Sequence, residues 1–214
     1  MFDIFGPCIR TIPVVAQKKV IYLTFDDGPD PVLTPKVLTL LERYQATATF
    51  FMIADRAASN TEIVKEVQDA GHSIGNHSLD HNTRYFFSSF EVMSDWILRS
   101  EAVFKESLGI TPVGFRSPAG VQTPTLHRVL KSLDLPMVHW SKRFFDSTFR
   151  WSSDKALRSL EHTQPGQIVL LHDLQKTKHV DHFLSTLELY LEKAQSLGIS
   201  FRAITSEDIS RCLK

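Results

Sequence analysis

The chain has 214 residues with 24 Lys plus Arg against 24 Asp plus Glu, so its formal net charge is zero. This balance excludes a global field that attracts nucleic acid or an anionic membrane, and it favours a neutral or nearly neutral ligand. The length suits one domain over residues 1–214, with 1–19 as an N-terminal segment. No apolar run reaches bilayer-spanning length, and no export signal is visible in the first residues.

Strand and helix patterns alternate along the chain. Apolar or β-branched runs predict seven strands, at 20–25, 46–53, 72–76, 113–116, 137–140, 167–171 and 200–204. Apolar periodicity and capping residues predict six helices, at 34–44, 61–70, 88–108, 123–133, 152–162 and 180–197. Helices of this length between strands imply parallel pairing through right-handed crossovers, so an α/β sheet or barrel is expected.

Polar residues follow several of these strands, and active sites of α/β folds collect at the carboxyl ends of the strands. The first strand ends in Asp26-Asp27 and is stopped by Gly28-Pro29, a break that lets both carboxylates face one pocket. Later strand ends offer the segments 76–81, 116–120 and 172–173, and the fifth predicted strand runs on to Asp146. We therefore expect these side chains to meet.

His77 and His81 are four residues apart, so on one helical turn both rings project to the same side and can share a metal ion. One carboxylate would complete a three-ligand site with an open position for water, which is typical of catalytic metal sites. Such a pair can also lie on a solvated turn, and the spacing alone leaves both readings open. The Asp pair at another strand end favours the metal reading.

Four motifs in this order resemble the polysaccharide deacetylases, carbohydrate esterase family four. They are Thr-Phe-Asp-Asp-Gly-Pro at 24–29, His-Ser-x-x-His at 77–81, Arg-x-Pro-x-Gly at 116–120 and Leu-Leu-His-Asp at 170–173. The resemblance spans about residues 20–173. It implies a distorted (β/α) barrel of about seven parallel strands and metal-dependent removal of acetyl groups from an N-acetylated glycan such as peptidoglycan or chitin.

The resemblance also assigns the metal and the base. Asp27, His77 and His81 would bind a divalent metal ion, most often zinc in this family. Asp26 would be the general base that takes a proton from the attacking water, and Arg116 would hold its carboxylate by a charge-assisted fork.

The remaining roles follow from the same likeness. His172 would be the general acid that protonates the departing amine, because an unprotonated amine leaves poorly. Asp146 would tune His172. The backbone N–H of Ala119 would stabilise the oxyanion together with the metal, and Leu170 would line the pocket for the acetyl methyl group.

The chain departs from the family pattern around the sugar groove. Ala119 stands where the family usually has an aromatic residue, Ser147 replaces a Trp, and Arg143 stands at a usual Asp. These changes leave the catalytic groups in place and put the substrate's shape in question. Six aromatic residues could compensate by stacking on the sugar, although packing in the core is the ordinary reading for each and burial statistics favour it: Phe144, Phe145, Trp151, Tyr85, Phe86 and Phe87.

Residues outside the motifs receive structural readings. We expect His72 to be structural, His139 to be core, and His127, His162, His179 and His182 to be solvated on helices. Asp173 can orient His172 or cap the next loop. Cys8 and Cys212 could form a disulfide that closes nearly the whole chain, as in exported proteins, or be unrelated thiols.

The leading interpretation is an exported, monomeric N-deacetylase of an acetylated glycan that contacts neither nucleic acid nor a membrane interior. One alternative is an O-acetyl esterase acting on xylan, because the same site can attack an ester. Another, suggested by the altered groove motifs, is a glycan-binding barrel with little turnover.

Overall fold

The computed structural model describes residues 5–14 and 19–214. Six strands form one parallel sheet: β1 (Val20–Asp26), β2 (Ala48–Met52), β3 (Ser73–Asn76), β4 (Lys142–Arg143), β5 (Ile168–His172) and β6 (Ser200–Phe201). The strand order is β3-β2-β1-β5-β4, and β6 also pairs with β1. The predicted parallel α/β architecture is confirmed.

The described residues form eight α-helices, of which the last follows the final strand: α1 (Leu33–Arg43), α2 (Ala54–Ser59), α3 (Thr61–Asp69), α4 (Phe90–Ala102), α5 (Pro124–Ser132), α6 (Ser153–Glu161), α7 (Val180–Ser196) and α8 (Ser206–Cys212). A π-helical turn, Val103–Ser107, extends α4. Among the described residues no helix is long and apolar enough to cross a bilayer.

The expected count of about seven strands needs correction, because the described chain has six. The predicted strands at 113–116 and 137–140 are present only as isolated parallel bridges, from Phe115 to Asn76 and to Met137. Pro112 and Pro136 lack the N–H groups that would lengthen these ladders. The bridges nevertheless continue the sheet from β3 towards the segment that leads into β4, so the sheet curves round as a distorted barrel.

The core divides into two clusters that follow the alternation of β1. Ile21, Leu23 and Phe25 belong to the larger cluster, which includes the buried faces of the helices. Val20 and Tyr22 belong to the second cluster, together with Phe51, Val138 and Ile168. Since side chains alternate along a strand, Thr24 and Asp26 continue the face that carries Tyr22.

Cys8 and Cys212 are both thiols, so the disulfide reading is not supported. The Cys212 Sγ donates to the carbonyl oxygen of Thr11 over 3.8 Å. The alternative of two unrelated thiols describes the structure.

Candidate active site

The two acids at the end of β1 differ in backbone conformation. Asp26 is the last strand residue, whereas Asp27 has a φ of 78° and has left the strand. This left-handed residue breaks the strand alternation, so both carboxylates line the same cavity. Gly28 follows because a Cβ there would lie 2.2 Å from Asp173 Oδ2.

Arg116 fixes the position of the Asp26 carboxylate. Its fully buried guanidinium donates from Nη1 to Asp26 Oδ1 and to Thr24 Oγ1, both at 2.7 Å, and its other nitrogens donate to the carbonyls of Val138 and His139. The expected fork is therefore replaced by a single hydrogen bond to the carboxylate, because the backbone carbonyls engage the remaining nitrogens. Asp26 Oδ2 is left facing His77 Nε2 at 3.8 Å.

The two histidines follow β3 on a loop rather than on the expected helical turn. Ser78 and His81 have positive φ angles of 76° and 61°. Asn76 Oδ1 accepts the Ser78 N–H, and Ser78 Oγ accepts the His81 N–H. These loop contacts still bring the rings of His77 and His81 to a centroid distance of 5.3 Å.

Asp27 lies between these rings. Its Oδ1 is 3.4 Å from His77 Nε2 and 3.3 Å from His81 Nε2. The buried His77 Nδ1–H donates to the Arg116 carbonyl over 2.8 Å, which orients the ring and leaves Nε2 towards the acid.

The three side chains fit a divalent metal ion. Their ligand atoms all lie within 4.8 Å of one another, and they form the one such His, Cys, Asp or Glu group among residues 5–14 and 19–214. Two donors bound at about 2.1 Å to a tetrahedral ion lie about 3.4 Å apart, which matches the two Asp27–histidine distances. Two imidazoles and one carboxylate are also a donor set typical of catalytic zinc.

The carboxylates and the imidazoles of this group stabilise each other's charged forms. Burial raises the pKa of Asp27, but hydrogen bonds from His77 and His81 outweigh it and hold this pKa well below its usual range. Burial lowers the pKa of His77, but the neighbouring charges of Asp26 and Asp27 raise it above its usual value. A dication would replace these protons as the counter-charge to Asp27.

His172 ends β5, and Asp146 orients it from behind. The His172 Nδ1–H donates to Asp146 Oδ1 over 3.0 Å, and the His172 backbone N–H donates to Oδ2 over 2.9 Å. Burial lowers the pKa of His172, but the hydrogen bond and charge of Asp146 outweigh it and raise the pKa to about 9. The imidazole is therefore protonated at neutral pH.

One cavity of about 320 Å³ brings these groups together. Arg116 and Asp146 lie behind its wall as supports. Seven of the nine residues that the sequence singled out line it directly: Asp26, Asp27, His77, His81, Ala119, Leu170 and His172.

The sequence profile described as polysaccharide deacetylase matches residues 14–138, more than half of the chain. The chain belongs to this family. Over 196 residues it is 33% identical to a peptidoglycan-N-acetylglucosamine deacetylase of Listeria monocytogenes. The aligned region covers 92% of this chain and 40% of that relative. The chain thus spans about two fifths of the length of that relative.

Two further proteins match this chain over a similar share of both lengths. A peptidoglycan-N-acetylglucosamine deacetylase of Bacillus cereus is 37% identical over 167 residues, or 76% of each chain. The structure of a family 4 acetyl xylan esterase from Clostridium thermocellum, in complex with a cobalt ion, superposes with a TM-score of 0.76. It is 30% identical and covers 90% of this chain and 91% of that one. The expected distorted barrel is thereby confirmed.

The aromatic residues proposed for the groove divide between the cavity and the core. Phe145 is 46% exposed and lines the cavity, as does Trp140. The other proposed residues do not line the cavity. Phe144 and Trp151 pack with Tyr190, Tyr85 and Phe86 pack on Trp96, and Phe87 is 80% exposed elsewhere.

The structure confirms some of the predictions for the histidines outside the motifs and contradicts others. His72 is structural as predicted, since its Nδ1 accepts the Ala48 N–H and burial lowers its pKa to about 4. His139 is buried as predicted. The prediction of a solvated helical residue is wrong for His127, which is buried, and for His182, whose Nε2–H donates to the Trp151 carbonyl over 2.6 Å.

Asp173 follows neither reading that the sequence offered. It is fully buried, its Oδ2 accepts the Thr34 hydroxyl over 2.6 Å, and its N–H donates to the Asp26 carbonyl. Burial raises its pKa to about 7. Asp173 therefore packs against the turn that contains Asp26 and Asp27. The residue that orients the His172 ring is Asp146.

Sequence reasoning missed two supporting side chains. Thr24 accepts a hydrogen bond from Arg116, and Gln175 donates to Asp146 Oδ2 over 3.0 Å. Thr24 was visible as a polar residue two positions before Asp26 on the same strand face. Gln175 carried no comparable signal because it lies in a loop.

Proposed function

We propose that the chain is a metal-dependent hydrolase that removes N-acetyl groups from a glycan built on N-acetylglucosamine, of the peptidoglycan or chitin type. The observation that supports it most is the convergence in one cavity of three side chains that can hold a metal ion, a carboxylate bound by Arg116 and a histidine bound by Asp146. The relatives named for peptidoglycan deacetylation favour this substrate class.

Asp27, His77 and His81 would hold the ion, and the nitrogen and carboxylate donors favour zinc. When bound, such an ion polarises the acetyl carbonyl and acidifies water.

Asp26 acts as the general base in this proposal. Arg116 and the strand fix Oδ1, so Oδ2 is the oxygen directed towards the metal-binding side chains and able to accept the proton of the attacking water. Base and metal ligand are neighbours because the proton acceptor must reach a water held beside Asp27.

His172 acts as the general acid. Its Nδ1 is tied to Asp146, so the proton on Nε2 is the one available to the departing amine. The Ala119 backbone N–H supports the oxyanion, and Leu170 takes the acetyl methyl group at the cavity wall.

The proposal extends to the whole chain and its setting. Residues 1–214 act as one domain and as a monomer, and the protein works outside the cytoplasm because its relatives are named for cell-wall glycans. It has no nucleic-acid partner, consistent with the zero net charge.

O-acetyl ester hydrolysis is the second candidate, favoured by the likeness to an acetyl xylan esterase. The same base and acid can serve an ester, although an alkoxide needs protonation less than an amine does. Acetylated xylan compared with N-acetylglucosamine oligomers separates the two.

Acetate release from chitin oligomers, peptidoglycan and acetylated xylan tests the proposal. We expect release with equimolar free amine from the N-acetylated glycans, and loss of release on chelation. Release from xylan alone would establish the esterase. Tight glycan binding with metal present but without release would instead favour the binding barrel.

A further inference from the structure

Arg143 occupies an unusual place in the cavity wall. It is the second residue of β4 and pairs in register with Leu170 of β5, so it flanks the proposed acetyl pocket. It lines the same cavity as the acid pair and His172. Arg143 therefore places a positive charge in the wall of the cavity that the acid pair lines.

Aromatic rings hold the Arg143 side chain. Its guanidinium carbon lies 4.0 Å from the Phe145 ring centroid and 5.9 Å from that of Trp140. Stacking on aromatic faces orients a guanidinium while leaving its N–H groups at the edge. Phe145 has a φ of 59°, a conformation that is rare for a bulky residue and that places its ring beside Arg143.

No acid among residues 5–14 and 19–214 forms an ion pair with this cation. Within the part of the chain that the structure describes, Arg143 has no carboxylate within 4.0 Å and no side-chain hydrogen bond. Asp26 is engaged by Arg116, and Asp27 lies between two histidines. A pre-oriented guanidinium facing a cavity without an internal counter-ion matches a carboxylate of the ligand.

We propose that Arg143 is a specificity residue that selects a glycan with a carboxylate within one sugar of the reacting acetamido group. The lactyl ether of N-acetylmuramic acid has this chemistry. The inference rests on the proposed function, and it narrows the substrate from neutral N-acetylated polymers to acidic ones. In the competing explanation, the Arg143 guanidinium only replaces an aromatic ring on which a sugar stacks. It would then bind neutral and acidic sugars equally well.

A matched pair of substrates isolates the charge. One is a short peptidoglycan glycan chain with free lactyl carboxylates, and the other is the same chain with those carboxylates converted to methylamides. For the wild-type protein with metal bound, we expect kcat/KM to be about tenfold higher for the carboxylate form, equal to about 1.4 kcal/mol. The preference lies in KM, because the contact forms equally in the ground state and transition state.

Three variants complete the test. Arg143→Gln brings the ratio of the two kcat/KM values to about one, and Arg143→Glu reverses it in favour of the methylamide. Arg99→Gln removes a cation from the exposed side of α4 and keeps the wild-type ratio. The wild-type ratio also falls as salt screens the contact from about 50 mM to 500 mM.

The inference is overturned if the wild-type ratio is close to one, or if Arg143→Gln lowers kcat equally for both substrates. Failure of the proposed function has a different signature, namely no acetate from either glycan. In that case calorimetric binding of the two glycans decides the inference: a wild-type preference for the carboxylate that Arg143→Gln removes supports it, and equal affinities refute it.

Discussion

The Asp146→Asn substitution isolates the group that sets the charge of His172. It keeps the size of the side chain and removes the carboxylate that accepts the Nδ1–H over 3.0 Å. Burial alone lowers the pKa of His172. Asp146 makes the largest of the contributions that raise this pKa to about 9. Without that carboxylate only the more distant charges of Asp26 and Asp27 oppose the effect of burial, so the pKa falls towards its ordinary 6.5. The difference corresponds to about 3 kcal/mol at about 1.4 kcal/mol per pH unit.

The pH dependence of kcat measures this change. A general acid works in its protonated form, so kcat falls as pH rises through the pKa of His172 in the substrate complex. We expect the alkaline limb of Asp146→Asn to lie about 2 pH units below that of the wild type. A bound dication lowers both limbs, so the difference between the two proteins is the quantity to compare. Histidine proton resonances in the metal-free proteins report the same difference directly.

The pH dependence of the unfolding free energy also tests the contact between His172 and Asp146. Because folding raises the pKa of His172, its stabilisation is complete below the unfolded value near 6.5 and is lost as pH rises through about 9. Urea unfolding should therefore show a larger loss for Asp146→Asn at about pH 6 than at about pH 9.5. Asp95→Asn makes the same charge change on exposed α4 and should alter neither profile. An unmoved alkaline limb in Asp146→Asn would refute the role of Asp146.

Three further variants test the architecture of the acid pair. Asp27→Asn should weaken zinc binding by more than about 100-fold in chelator competition, beyond the usual effect of an outer-sphere partner. Arg116→Gln should cost about 3–5 kcal/mol of unfolding free energy in urea, because it leaves Asp26 buried without its counter-ion. Gly28→Ala should cost about 1–3 kcal/mol through its clash with Asp173, and a second Asp173→Ala change should recover part of that loss.

Much of the fold was predictable because local chemistry agrees with the tertiary structure. The apolar run of β1 and the Ser and Thr caps of α4, α5 and α6 predicted elements that the structure confirms within a few residues. α8 was missed although Thr205 and Asp208 form a capping box that was legible in the sequence. α2 has only six residues and begins two residues after β2 ends, so it is too short to show a helical apolar period of its own.

The segments that meet at the site were predictable from polar residues at strand ends, and the family resemblance supplied the expected role of each residue, whereas neither supplied the geometry. Asp27, Ser78 and His81 have positive φ angles in turns that also contact distant segments: the Asp173 N–H donates to the Asp26 carbonyl, and the Ala54 N–H donates to the Ser78 carbonyl. A strand or helix rule cannot supply such conformations. The single hydrogen bond between Arg116 and Asp26 likewise depends on the carbonyls of residues 138 and 139, which compete for the same guanidinium.

The Asp26→Asn variant tests the division of work between the two acids most directly, with zinc affinity and acetate release measured on one preparation. We expect zinc affinity to stay within a few-fold of the wild type, because Asp27, His77 and His81 are intact. Acetate release should fall by about 10²–10⁴-fold, the usual contribution of a general base. An undiminished rate, or a loss of zinc as large as that in Asp27→Asn, would contradict the account.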